Sequence, residues 1–185
     1  TVIGDDAQNI YQWRGSDLKY ILKASDYFPT IKTYFLSTNY RSSSEIIEMA
    51  NTIIRNNKDN IVKPMLSHYG ANNILPSVKY YYKLNYQSQD VVRTICMMLN
   101  NNNLPEDIAV ISRNNYPLKD IEEEFEKYNK DHHTNIKYIS LITNDGCDIK
   151  PKVDSECVTL TTIHKAKGLE WKHVFLVSCD DETIP

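Results

Sequence analysis

Near the start of the chain lies the sequence Gly4-Asp5-Asp6-Ala7-Gln8-Asn9-Ile10-Tyr11-Gln12-Trp13-Arg14-Gly15-Ser16, directly after the apolar residues Val2 and Ile3. We expect residues 1–4 to end a strand, because a short apolar strand running into glycine and acids is typical of the carboxyl edge of an α/β sheet. At that edge the amide of Gln8 can contact a phosphate or a water molecule. Two aromatic residues and an arginine follow, and such flat groups together predict a platform on which nucleotide bases stack.

This segment resembles motif III of the UvrD/Rep/PcrA-like superfamily 1A DNA helicases, whose pattern is GDxxQxIYxWRGA, and only Ser16 departs from it. Leu36–Ser43 (LSTNYRSS) resembles motif IV, LxxNYRS, and Thr161–Trp171 (TTIHKAKGLEW) resembles motif V, TxHxAKGLEF/W. A weaker segment between them, Ile108–Asn115 (IAVISRNN), is similar to the family's IAVLxRxN strand. Four segments in the family's order argue against coincidence.

The resemblance implies an α/β fold: a RecA-like, P-loop NTPase-like helicase motor domain with a parallel sheet in three α/β/α layers. Alternation of strands and helices along the chain also predicts a parallel sheet with right-handed crossovers. We expect residues 1–33 to end the first motor domain (1A) and residues 34–185 to form the second (2A). The family's large helical 2B insertion is expected to be absent, since only Asn115 to Thr161 separate the Arg-Asn strand from motif V. Motif VI is expected beyond Pro185, so we interpret the chain as a fragment.

Apolar spacing predicts individual elements. We expect helices at 17–27, from a Ser42–Glu45 capping box to about Asn56, at 90–99 and at 117–128. The last of these should turn Leu118, Ile121 and Phe125 inward. We expect a loop over 57–76, and strands at 31–36, 78–84, 108–112, 136–142, 158–161 and 173–178. The tyrosine run 80–82 is expected to pack against the protein rather than stack on bases, because alternation places at most two rings on one face.

For the nucleotide, the resemblance implies two catalytic residues: Gln8 senses the γ-phosphate and Arg41 acts as an arginine finger. It also implies that Tyr40 stacks on the adenine and that Glu170 accepts a hydrogen bond from the ribose. Gly168 would permit a tight backbone turn near the nucleotide. The alternatives are a surface Arg41, an ordinary half-buried Tyr40 and a solvated Glu170.

For DNA, the resemblance implies contacts from six residues: Tyr11, Trp13, Arg14, Arg113, Asn115 and His164. Trp13 would stack on a base, and its alternative is a core tryptophan. Asn115 is equally a candidate helix cap. A satisfied core histidine is the alternative to a phosphate contact by His164.

The composition limits the kinds of partner. A net charge of −3 and a pI near 5.9 give no overall basic field, so nucleic acid must bind in a local groove. Four cysteines without CxxC spacing favour reduced thiols in an intracellular protein. We expect a cytoplasmic location, with a nucleus or a viral replication compartment left open. No apolar run is long enough to span a membrane, and no segment resembles a signal peptide.

The sequence contains neither a GxxxxGK[ST] phosphate loop nor an acidic pair to hold Mg²⁺, and no metal ligand is predicted in it. The resemblance implies ATP and Mg²⁺ as cofactors, with their remaining ligands before Thr1. We expect part of an ATP-dependent helicase that moves on single-stranded DNA and unwinds duplex junctions, with the remainder of the same polypeptide as partner. A 3′–5′ direction and a role in DNA repair rest on the resemblance alone. The alternatives are a non-hydrolysing DNA-binding pseudo-helicase and the motor part of a RecB/AddA-like helicase–nuclease.

Overall fold

The computed structural model describes residues 1–58, 61, 63–141 and 156–180. The chain divides into two compact units, Thr1–Lys79 (unit 1) and Tyr80–Pro185 (unit 2). The sequence predicts a boundary between two motor domains at residues 33 and 34. The division into compact units does not test that boundary, so it stays a prediction.

Unit 2 is built on a four-stranded sheet. Its strands are β3 (Ile108–Ser112), β4 (Tyr138–Ser140), β5 (Val158–Thr162) and β6 (His173–Val177). All their pairings are parallel, and the order in the sheet is β4-β5-β3-β6. Four of the predicted strands therefore form. The α/β fold class with a parallel sheet is confirmed.

Two long helices cover one face of this sheet: α4 (Leu84–Asn100) and α5 (Tyr116–His132). The core between helices and sheet contains Ile95, Val110 and Leu160, each without solvent exposure. The residues that the sequence turns inward on α5, namely Leu118, Ile121 and Phe125, are buried there as predicted. Burial of this apolar surface, at about 25 cal/mol per Å², holds α4 and α5 against the strands.

A one-turn helix, α6 (Ile163–Ala166), follows β5 directly and lies against β5 and β3. It begins where Thr162 leaves the sheet in an extended conformation. The side chains that follow β3 and β5 therefore come out at the same edge of the sheet, because Ser112 pairs with Thr162.

Unit 1 contains shorter elements. They are α1 (Lys19–Leu22), α2 (Ala24–Tyr27), β1 (Thr38–Asn39), α3 (Ser44–Ile54) and β2 (Leu66–Ser67), after two single 3₁₀ turns at Asp6–Gln8 and Gln12–Arg14. Strands β1 and β2 pair in parallel, Thr38 with Leu66 and Asn39 with Ser67. This small pairing ties motif IV to the segment after α3.

Three predicted strands are wrong: residues 1–4, 31–36 and 78–84 are not in strands. Val2 and Ile3 are 73% and 88% exposed. A strand needs a neighbour for its backbone groups, and in the described residues none pairs with these segments. The third segment instead ends where α4 begins.

The tyrosine run also differs from its prediction. Tyr80 and Tyr82 are 93% and 102% exposed, so packing is wrong for these two residues. Tyr81 faces the other way and donates a hydrogen bond to Asp90 Oδ2 at 2.5 Å. The three side chains therefore alternate in direction as expected, but only the ring of Tyr81 is partly buried.

Two helix predictions need smaller corrections. The helix expected at 17–27 is broken at Lys23, whose φ of −115° and ψ of 32° are not helical. The Ser42–Glu45 capping box is wrong, because Ser43 holds the N-cap position of α3 without a capping side chain. The Glu45 carboxylate instead accepts hydrogen bonds from the backbone N–H groups of Asn72 and Asn73.

Candidate functional site

The Asp5 carboxylate organises the first part of the motif III segment. It accepts a hydrogen bond from Ala7 N at 3.2 Å and so caps the 3₁₀ turn Asp6–Gln8. Its second oxygen, Oδ2, accepts a hydrogen bond from Gln8 Nε2 at 2.6 Å. Gln8, the predicted γ-phosphate sensor, is therefore an exposed side chain with a defined orientation.

A lysine distant in sequence completes this cluster. Lys63 Nζ lies 2.8 Å from Asp5 Oδ1 and 2.6 Å from Asp6 Oδ1. Burial raises the pKa of each carboxyl, but the Lys63 ammonium and nearby hydrogen-bond donors outweigh it, so both pKa values lie below their ordinary range. Burial would lower the pKa of Lys63, yet the two carboxylates hold it above its usual value.

Tyr11, Trp13 and Arg14 come together as the sequence predicts. The Arg14 guanidinium carbon lies 4.7 Å from the centroid of the Trp13 ring and 5.6 Å from that of Tyr11. Trp13 is 67% exposed, which contradicts the alternative of a core tryptophan. Gly15 ends the turn with a φ of 89°, a conformation that residues with a Cβ rarely adopt. We call these three side chains the aromatic platform.

The backbone of motif IV is held by two hydrogen bonds to the side chain of Asn39. Asn39 Oδ1 accepts hydrogen bonds from the backbone N–H groups of Arg41 and Ser42, each at 2.9 Å. On the other side, Ser67 Oγ donates to Ser42 O at 2.7 Å. The exposed Arg41 side chain therefore leaves a backbone turn that is fixed on both sides.

Tyr40 lies on the same turn and is 64% exposed, which contradicts the half-buried alternative. Its ring centroid is 4.6 Å from that of His68, with an interplanar angle of 36°. His68 in turn donates its backbone N–H to Asn39 O at 2.9 Å. The phenol ring is thus supported by a neighbouring ring and has exposed surface that can meet a planar ligand.

In unit 2, Arg113 and His164 meet at the edge where β3 and β5 end. Arg113 Nη1 lies 3.1 Å from His164 Nδ1. A guanidinium can only donate, so Nδ1 accepts, and the neutral imidazole carries its proton on Nε2. His164 is half-buried and lies outside the apolar core, which contradicts the alternative of a core histidine.

The other predicted residues of unit 2 lie nearby in sequence. Asn115 holds the N-cap position of α5, but its side chain makes no capping hydrogen bond, so the structure does not support the capping alternative. Gly168 has a φ of 88°, the left-handed conformation that the predicted tight turn requires. Glu170 is exposed, and its contact with a ribose stays a prediction.

Within residues 1–58, 61, 63–141 and 156–180, no three or more His, Cys, Asp or Glu side chains form a group that could hold a metal ion. No helix in those residues is long and apolar enough to cross a membrane. Cys96 and Cys157 are buried, Cys179 is exposed, and none of the three is in a disulfide. Cys147 lies outside the described residues.

Two residues of these sites carried no signal in the sequence. Lys63 is one lysine in a polar segment, and its acidic partners lie 58 and 57 residues away. His68 lies 28 residues from Tyr40, and only the β1–β2 pairing brings the two rings together.

Comparison with known proteins shows which family the chain resembles. The model of the UvrD-like helicase C-terminal domain matches the chain over residues 34–141 and over 129–185. The ATP-dependent DNA helicase PcrA of Staphylococcus aureus strain Mu50 is 30% identical over 164 residues, which cover 80% of this chain and 22% of that protein. PcrA of Staphylococcus epidermidis strain RP62A is 29% identical over the same length. The chain therefore spans about a fifth of the length of these curated relatives.

Proposed function

Because the chain belongs to the UvrD-like helicase C-terminal domain family, in its UvrD/PcrA-like superfamily 1 branch, we propose that it works as part of an ATP-dependent DNA helicase. The helicase would couple ATP hydrolysis to 3′–5′ movement on single-stranded DNA and would unwind duplex junctions. Its partners are DNA, ATP and the remainder of the helicase polypeptide, and its location is cytoplasmic. Neither the pseudo-helicase nor the helicase–nuclease gains support from relatives named as ATP-dependent DNA helicases.

The observation that carries this proposal is the aromatic platform. An exposed tryptophan beside a tyrosine and a guanidinium offers flat surfaces to bases of any identity. Stacking contacts of this kind do not depend on base sequence. A motor that moves along DNA needs contacts with that property. The platform also lies within a few residues of Gln8 in the chain, so a change at the nucleotide has a short path to the DNA contact.

For the nucleotide, we assign the roles that the residue chemistry supports. Arg41 is exposed on a fixed turn, and its guanidinium can form two parallel hydrogen bonds to a phosphate. Tyr40 offers its ring to the adenine, and Gln8 offers an uncharged amide to the γ-phosphate. Glu170 would accept from the ribose beside the turn at Gly168. Mg²⁺, when bound, would neutralise phosphate charge, and no group of three or more His, Cys, Asp or Glu side chains among the described residues could hold it.

For the DNA backbone, the Arg113–His164 pair supports a phosphate contact. With Nδ1 accepting from Arg113, His164 presents Nε2–H as a donor, and Arg113 keeps its other N–H groups. Donors of this kind fix the position of a strand without reading its sequence. Asn115 follows Arg113 by two residues and is assigned the same kind of contact.

The test is Trp13→Ala in the helicase that carries this chain. Single-strand affinity should fall by about 1–3 kcal/mol, equally for different base sequences. The dependence of affinity on salt should barely change, since no phosphate contact is lost. The melting temperature should also stay near its wild-type value because the ring is exposed. Affinity by fluorescence anisotropy at two salt concentrations, together with a thermal melt, provides all three results.

Tyr86→Ala is the matched control, because Tyr86 is an exposed tyrosine on α4, outside the aromatic platform. It should leave DNA affinity unchanged. Unchanged affinity in Trp13→Ala, or a large loss of melting temperature, would count against the platform as the DNA contact.

A further inference from the structure

We propose that Lys63 is a positioning residue that holds Gln8, through Asp5, in the orientation needed to meet the γ-phosphate. The inference rests on the proposed function of Gln8 and adds a residue that lies outside the helicase motifs. It also gives the acidic dipeptide Asp5–Asp6 a role, as the link between the two side chains.

The Asp5 carboxylate links Lys63 to Gln8, because each of its two oxygens contacts one of these side chains. Asp5 Oδ1 lies 2.8 Å from Lys63 Nζ, and Asp5 Oδ2 lies 2.6 Å from Gln8 Nε2. A carboxylate can only accept, so the nitrogen of the amide must face Asp5. The same nitrogen carries a second N–H, the donor that a γ-phosphate oxygen requires, while the amide oxygen of Gln8 can only accept, as from a water molecule. The direction of the whole amide group is therefore set by where Asp5 is held.

Asp6 anchors Lys63. Its side chain is buried, with only 6% of the residue exposed, and it lies 2.6 Å from Lys63 Nζ. Its second oxygen accepts the backbone N–H of Ile61 at 2.9 Å. Ile61 and Lys63 are thus each tied to the 3₁₀ turn that carries Gln8, through the two oxygens of Asp6. An ammonium group anchored by these contacts can restrict the orientation of Asp5 more strongly than the ammonium of an unanchored surface lysine could.

Charge explains why a cation is needed at this point. Two adjacent carboxylates repel each other, and Asp6 is too buried for water to screen that repulsion fully. Without the ammonium, Asp5 would turn outward to solvent and take the Gln8 amide with it. Lys63 contacts neither Tyr40 nor Arg41 in the described contacts, so nucleotide affinity should depend on it little.

The first experiment observes Gln8 directly in the 185-residue chain labelled with ¹⁵N. In Lys63→Met, the side-chain amide of Gln8 should lose its distinct chemical shift and exchange its protons about tenfold faster, as a solvent-exposed amide does. Lys63→Arg should keep the wild-type signal, because the charge and reach remain. Lys58→Met is the control, since Lys58 is an exposed lysine of the same segment. An unchanged Gln8 amide in Lys63→Met overturns the inference, and Lys63→Gln replaces that variant if it does not fold.

The second experiment measures ATP turnover in the helicase that carries this chain. Lys63→Met should lower kcat by about 10- to 100-fold with KM within about threefold, because a small misplacement of a reacting contact slows the step more than it weakens binding. Lys63→Arg should recover most of kcat, and Lys58→Met should match the wild type. A merely structural role would instead change stability and KM together.

Gln8→Ala distinguishes the role of Lys63 from the role of Gln8 itself. If Gln8→Ala lowers kcat and Lys63→Met does not, the inference about Lys63 is overturned and the proposed function of Gln8 stands. If Gln8→Ala leaves kcat at the wild-type value, the proposed function of Gln8 fails, whatever Lys63→Met does to the NMR signal.

Discussion

At the scale of single residues, the conformation of motif IV depends on Asn39. Its side-chain oxygen accepts two backbone N–H groups, a local turn that asparagine forms readily. The backbone under Arg41 is therefore fixed independently of the guanidinium. Truncating the side chain should remove its charge and leave the turn in place.

We therefore expect Arg41→Ala, in the helicase that carries this chain, to keep ATP affinity within a few fold. Turnover should fall by about 10² or more, because an arginine finger stabilises charge that develops in the transition state. Nucleotide binding by equilibrium titration and steady-state hydrolysis check the two parts. Arg55→Ala, at an exposed arginine just after α3, should behave as the wild type. Equal losses of binding and turnover in Arg41→Ala would point to misfolding, and a wild-type rate would remove Arg41 from the site.

What could be predicted at this scale is the exposure of motif residues. The polar neighbours of Trp13 predict an exposed ring, and the ring is exposed. The contact of Lys63 with Asp5 could not be predicted, because no local sequence pattern around Lys63 indicates an acidic partner 58 residues earlier in the chain. A long-range ion pair is set by how the backbone folds back, and single side chains leave no periodic signal of it.

At the scale of elements, strands buried in the sheet were predictable and isolated ones were not. β3 has a nearly continuous apolar sequence, and Ile108, Ala109 and Val110 have no solvent exposure. The segment 78–84 has the β-branched and aromatic residues of a strand, yet no strand among the described residues pairs with it. Strand propensity describes how residues fit a pleated, half-buried surface, so it fails where the sheet does not extend.

The Tyr81–Asp90 hydrogen bond ties the chain before α4 to that helix. Burial and the Asp90 acceptor raise the pKa of Tyr81 to about 12. Tyr81→Phe should lower the free energy of unfolding by about 1–2 kcal/mol, because a hydrogen bond to a charged acceptor is lost. Urea denaturation at pH 7 measures the change. Tyr82→Phe is the matched control, because Tyr82 is 102% exposed and its hydroxyl removal should have no effect.

The same pair predicts a pH dependence. The pKa of Tyr81 is higher in the folded chain than in the unfolded chain, so its contribution is fully present below about pH 10. The contribution should be lost as the pH rises through about 12, where the folded tyrosine ionises. The stability difference between the wild type and Tyr81→Phe should therefore shrink above pH 10. A difference that stays constant up to pH 12 would exclude this hydrogen bond as its cause.

At the scale of the whole molecule, a parallel sheet follows from the sequence but the strand order does not. Alternating strands and helices limit the topology to parallel strands with crossovers. Only the structure shows that β5 pairs with β3 across about 50 residues, which brings Arg113 and His164 to one edge. The family resemblance implies that both residues contact DNA, but it does not imply that they contact each other.

Residues 1–185 on their own are expected to lack ATP turnover. Their sequence has no GxxxxGK[ST] loop to hold the β- and γ-phosphates, and the described residues include no group that could hold Mg²⁺. As the proposed arginine finger, Arg41 would stabilise charge, but it would neither bind the metal nor orient the attacking water. We therefore expect no ATP turnover from the purified chain, with or without single-stranded DNA, measured as phosphate release. Helical circular dichroism of the same sample must first show that the chain is folded. DNA-stimulated turnover that Arg41→Ala abolishes would contradict this prediction, because it would show a complete hydrolytic site within these 185 residues.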